Sequence, residues 1–166
     1  TEDWPFVPVV RKYDHQGNEV WTRRQFGTSR FDSVRGIAVG PTGVYVTAGP
    51  RRKFEGSDGF FRKYDHQGNE VWTREFGASK GDIARGITVG PTGVYVAGGT
   101  TGSLLGRTNT GREDFIVRKY DPDANEVWAF QFEKKLYDKA RGIAVGPTGV
   151  YVAGGGFAAK IVTVEP

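Results

Sequence analysis

The feature that most constrains this chain is that it repeats itself. Residues 11–23 read RKYDHQGNEVWTR, residues 62–74 read the same thirteen letters, and a third version, RKYDPDANEVW, begins at Arg118. A second block, RGIAVGPTGVYV at 35–46, returns as RGITVGPTGVYV at 85–96 and as RGIAVGPTGVYV at 141–152. From Arg35 to Arg85 is 50 residues and from Arg85 to Arg141 is 56. Repetition at such a period means one supersecondary unit copied along the chain, with each unit burying its apolar face against its neighbours.

The content of one period is four short runs: Gly36–Val39, Val44–Ala48, Phe60–Tyr64 and Glu70–Phe76. Each is rich in Val, Ile, Phe, Tyr, Trp and Thr, side chains that suit a pleated, half-buried surface. Gly40-Pro41-Thr42-Gly43 joins the first two runs, with Pro to fix φ and Gly to permit a positive one. Asp14-His15-Gln16-Gly17-Asn18 is a second kind of turn, in which the Asp side chain can accept backbone amides ahead of it. No stretch of useful length has helical spacing. The reading is all-β, with four antiparallel strands per unit, the pattern of a β-propeller blade.

Composition narrows the function classes. The 166 residues suit one domain, and 37% hydrophobic with 25% charged residues is a folded profile. Cysteine is absent, which removes disulfides, thiolate metal sites and cysteine nucleophiles. No apolar run is long enough for a membrane-spanning helix. The net charge of +4 comes from cations interspersed with carboxylates, so nucleic acid is not an expected partner.

The segments GIAVGPTGVYVAGG, FFRKYD and GNEVWTREFG together resemble the bacterial propeller repeat called SBBP and, more loosely, the NHL repeat. The likeness spans roughly residues 7–157. It implies a scaffold or binding platform of the bacterial cell surface or exterior, and it carries no shared catalytic motif. The chain starts at Thr1, which suits a processed exported protein and a piece of a longer one equally. In propellers of this kind the Gly-Ile-Ala-Val strand is innermost and the Asn-Glu-Val-Trp strand outermost.

On that pattern the chain divides into an N-terminal half-blade (1–34), two blades (35–84 and 85–140) and a C-terminal half-blade with one more strand (141–166), about 13 strands in all. It opens with a third strand, Val7–Tyr13, and an outer strand, Glu19–Phe26; it closes with an inner strand, Gly142–Val145, a second strand, Val150–Ala153, and the apolar run Lys160–Val164. About three blades are too few to close a propeller, so the ends carry unpaired edges that invite another chain. The expected partner is a second copy, joined head to tail into a ring or a filament. Phe6, Val7, Val9, Val10, Ile161, Val162 and Val164 are the candidate self-association residues. The last run either forms a local third strand on a short hairpin or leaves to pair with a neighbour. Pro8 limits the first strand to pairing on one side at that point, and the additional residue in Thr22-Arg23-Arg24-Gln25 suggests an edge bulge.

The chemistry-bearing residues fit architecture better than catalysis. His15 and His66 occupy the same repeated turn, and Asp121-Pro122-Asp123 only superficially resembles a calcium loop, so neither a catalytic nor a metal site is expected, and no cofactor. Asp32, Asp82 and Asp138 each precede Arg35, Arg85 and Arg141 by three residues, a once-per-blade joint. Arg51-Arg52-Lys53 and Lys134-Lys135 read as solvated loops, and the Gly-rich loop 99–114 lacks a phosphate-cradle ending. Trp21, Trp72 and Trp128 are equivalent positions on outermost strands. Exposed, they would stack against sugar and make the protein a carbohydrate-binding propeller; packed between blades, they are core.

Overall fold

The computed structural model describes residues 8–24, 32–50, 58–77, 81–102, 113–132, 139–155 and 162–164. These form 13 strands in four antiparallel sheets, with no helix among the described residues. The first sheet pairs β1 (Val9–Tyr13) with β2 (Glu19–Arg24). The second runs in chain order through β3 (Asp32–Gly40), β4 (Gly43–Pro50), β5 (Gly59–Tyr64) and β6 (Glu70–Phe76). The third repeats this with β7 (Ile83–Gly90), β8 (Gly93–Thr100), β9 (Asp114–Tyr120) and β10 (Glu126–Phe132). The fourth has β11 (Lys139–Gly146), β12 (Gly149–Gly155) and β13 (Val162–Val164).

The open choice for the last apolar run is decided in favour of a local strand: β13 pairs antiparallel with β12, Val150 opposite Val164 and Val152 opposite Val162. The proposed bulge near Gln25 falls outside the described residues. Register shifts occur elsewhere, and they recur. In β3, β7 and β11 the ladder skips Arg35, Arg85 and Arg141, so the repeated arginine is itself the bulged residue.

The turns form as their residues dictate. In the Pro-Thr turns, Gly40 pairs with Gly43, Gly90 with Gly93 and Gly146 with Gly149. Each turn threonine bonds a tyrosine hydroxyl three residues on: Thr42 to Tyr45 at 2.9 Å, Thr92 to Tyr95 at 3.0 Å and Thr148 to Tyr151 at 2.7 Å. At Gly43 (φ +151°) a Cβ would run into the carbonyl oxygen of Tyr64, so only glycine fits.

Strand alternation then stacks the sheets in series. Along β4, Val44, Val46 and Ala48 point toward the first sheet and pack with Val10 and Trp21, while Tyr45 points the other way, toward the third sheet. On β5, Phe60 and Tyr64 join the first cluster and Phe61 the second. The third sheet repeats this: Val94, Val96, Ile116 and Tyr120 face the second sheet, whereas Tyr95, Ala97 and Val117 meet Ala140, Val150 and Val152 of the fourth. The strands that open the second, third and fourth sheets lie side by side, β7 against β3 and β11 against β7. The chain thus has three apolar interfaces between four sheets.

Phe61 is fully buried between the second and third sheets, its ring 4.5 Å from that of Tyr120 and 5.3 Å from that of Trp72. Phe61→Ala is expected to lower the unfolding free energy by about 3–5 kcal/mol in a denaturant titration, whereas Ile37→Ala, at a side chain 55% exposed, should change it by no more than about 0.5 kcal/mol.

Candidate functional site

The chemistry-bearing residues are absorbed by structure. Asp14, Asp65 and Asp121 each close a turn: one carboxylate oxygen accepts the backbone N–H groups two and four residues on, the other the side-chain amide of Asn18, Asn69 or Asn125. Those amides hold all three carboxyl groups below the usual aspartate range. No group of three or more potential metal ligands occurs among the described residues. His66 lends its carbonyl oxygen to the first sheet, accepting from Trp21 Nε1 at 3.1 Å and Lys12 Nζ at 3.2 Å. In the third copy Ala124 takes the positive φ (65°) that glycine takes at Gly17 and Gly68.

The Asp–Arg joint is only partly as expected. Asp82 is fully buried and its backbone carbonyl accepts from Gly59 N at 2.7 Å. Arg85, however, pairs with Glu113, the residue just before β9, at 3.2 Å. Burial and the neighbouring Arg85 depress the pKa of Arg35, and Glu113 opposes that shift. Asp138, Arg51–Lys53 and Lys134–Lys135 lie outside the described residues, as does most of the 99–114 loop.

The three tryptophans sit between sheets. Trp21 is 9% exposed, within the Val10–Val46 cluster, with Arg23 over its ring. Trp72 packs against Tyr45 and Phe61, and Trp128 against Tyr95 and Phe130. Both are half-buried.

What distinguishes one part of the surface from another is repeat position. At the first internal junction a side chain on Gly36 would meet Ile87, and one on Gly40 would meet Val89. At the second, Gly86 lies under Ile143 and Gly90 under Val145. Each inner strand thus presents two glycine hollows to the sheet that follows, and that sheet fills them with an isoleucine and a valine. At the two ends the halves of this contact are separated. Ile37 and Val39 of β3 are 55% and 66% exposed, while their buried equivalent Ile87 is 7% exposed. At the far end Gly142 has nothing within 4 Å of where a Cβ would lie, and Gly146 meets only Tyr151 of its own sheet.

The third strands carry the same contrast. Val9 is 36% exposed and Tyr13 51%, against 8% for Phe60, 3% for Tyr64 and 5% for Tyr120 at matching places. The ion pair on this face recurs as Arg11–Glu19, Arg62–Glu70 and Arg118–Glu126, and its arginine is buried only where another sheet covers it. At the other end Ala153 is exposed and Tyr151 half-exposed, whereas Ala97 and Tyr95 are buried. Val20 is exposed too, but so are its equivalents Val71 and Val127, so that position is open in every copy and does not mark an end.

Among the residues expected to mediate self-association, Val9 lies on the uncovered N-terminal face. Val10 is buried inside the chain at 3% exposure, its side chain packed against the second sheet. Val162 and Val164 pair with β12, and Phe6, Val7 and Ile161 lie outside the described residues. The uncompleted half-contacts at Ile37, Val39, Gly142 and Gly146 were not singled out from the sequence, although their signal was present: within these 166 residues one RGIAVG segment has no copy before it and another has none after it. No family model matches this chain, and no curated protein matches it either.

Burial between sheets pushes the Tyr120 phenol up to about 12. In the unfolded chain it ionises near the ordinary value of about 10, so the stability linked to it is whole below pH 10 and is lost as pH rises toward 12. Tyr120→Phe should therefore flatten the decline in unfolding free energy between about pH 10 and 12, as read by denaturant titrations at stepped pH.

Proposed function

We propose that this chain is a non-enzymatic, self-associating scaffold of the β-propeller kind, whose four sheets are successive blades, two complete and two partial, and whose copies join head to tail. The single observation that carries this reading is the pair of half-contacts at the ends. Ile37 and Val39 lack a hollow, and Gly142 and Gly146 lack an occupant, yet the complete contact is built twice inside the chain from the same residue types. A second copy is the occupant that these ends fit residue for residue. Ile37 of one copy would seat over Gly142 of the next as Ile87 seats over Gly36.

The strand inventory supports the same partner. The first sheet holds the third and outer positions of the repeat, and the fourth sheet holds the inner and second, with β13 along the edge of the second. Without β13 they make one complete unit. Tyr13 would then meet Val117 and Trp128 of the neighbour, as Tyr120 meets Phe61 within the chain. A contact of this head-to-tail type closes into a ring if its rotation permits and otherwise extends as a filament. Two copies would supply six blades, within the range that closes. The resemblance to surface repeats of bacteria favours an extracellular or cell-surface setting.

Sedimentation velocity tests this directly. The wild type is expected to form dimers or longer species, and Ile37→Asp and Gly142→Trp are each expected to hold the chain at 18.2 kDa while changing unfolding free energy by no more than about 0.5 kcal/mol. Each variant spoils a different end, so mixing them should give a 1:1 pair and nothing larger. A wild type that stays monomeric at hundreds of micromolar, or variants that assemble as it does, would contradict the reading.

A further inference from the structure

Building on that head-to-tail reading, we propose that the edge of β12 that pairs with β13 is the docking site for β1 of a second copy, and that β13 is its resident plug, displaced when the copies join. Inside the chain, β4 pairs with β5 over five residue pairs, from Val44 opposite Tyr64 to Ala48 opposite Phe60. The fourth sheet offers the same edge, and among the described residues β13 pairs with Val150, Tyr151 and Val152 of it. Val164, Thr163 and Val162 stand where Tyr64, Lys63 and Arg62 stand in the complete sheet. β13 thus stands in the place of a third strand, with Val-Thr-Val where the repeat has Arg-Lys-Tyr.

β1 is the full-length version, and its own second edge carries no ladder among the described residues. Set into the β4–β5 register, Tyr13 would lie opposite Val150, Lys12 opposite Tyr151, Arg11 opposite Val152, Val10 opposite Ala153 and Val9 opposite Gly154. That ladder ends one residue before Pro8, which has no N–H to give. At Val150, Tyr151 and Val152 it would bring the Tyr13, Lys12 and Arg11 of the repeat where β13 has Val164, Thr163 and Val162, so an incoming β1 replaces β13 with the repeat's own third strand. An unpaired strand edge is a template for such addition, with main-chain hydrogen bonds supplying affinity and alternate side chains specificity. The exchange keeps Val10 and Lys12 on the side they already occupy, so β1 need not leave its own second sheet.

Val152→Cys/Val162→Cys tests the exchange in the full chain, which has no native cysteine to confuse the pairing. Oxidation ties β13 to β12 at facing positions; reduction frees it. The oxidised form is expected to associate at least tenfold more weakly than the same protein reduced, measured by sedimentation velocity. Thr163→Pro removes a backbone donor at the centre of β13 and should tighten association at least tenfold over wild type. If tying β13 down and loosening it both leave association unchanged, the plug is refuted while head-to-tail joining stands. If no form associates, including Thr163→Pro, the head-to-tail reading fails and the plug with it.

Discussion

Everything in this structure depends on one contact: an isoleucine and a valine of one inner strand seated in two glycine hollows of the inner strand before it. The contact works because RGIAVG places its glycines and its large side chains on opposite faces. Gly36 and Gly40 face forward, Ile37 and Val39 backward, so each copy is a hollow to its successor and an insert to its predecessor. Close approach at Gly36 is tight enough that a Cβ would lie 2.8 Å from the Arg85 carbonyl oxygen, so the residue type is set by packing rather than by turn geometry. A surface built this way complements itself by translation along the repeat.

Two-faced strands explain the rest of the architecture. Neither face of β4, β5, β8 or β9 is free, because each supplies two interfaces, and their residues are buried almost without exception. Buried polar groups on these strands are drawn into the stack: Arg118 pairs with Glu126 at 2.7 Å and lies over the ring of Phe76, and Gln131 bonds Asp114 at 2.7 Å. The same arginine position at Arg11, with no sheet before it, keeps its pair at 3.5 Å and stays open to solvent. Burial here is a property of place in the series and not of residue type.

That distinction marks what the sequence could reveal. Strand positions, the Pro-Thr turns, the Asx turns and the strand inventory follow from local residue patterns, and the 13 strands correspond to those read from the letters. The tryptophans were ambiguous because an outer-strand aromatic reads alike whether a neighbouring sheet covers it or not. The arginine bulges escaped notice, since a skipped residue at Arg35 leaves the period-two pattern on either side looking continuous. The uncovered ends were legible as unpaired strands, but which apolar side chains there stay exposed was not. Val10 is apolar and near the end, yet buried against the second sheet. Ile37 is exposed because, among the described residues, no copy of its strand lies before it, a matter of place in the series rather than of hydrophobicity.

The most direct test is an isotope-filtered NMR experiment on an assembled sample that mixes two differently labelled populations of the chain. The account predicts intermolecular cross-peaks between the methyl groups of Ile37 in one copy and the α-protons of Gly142 in another. Ile37 methyls that show no contact with Gly142 in a sample whose mass proves association would contradict it.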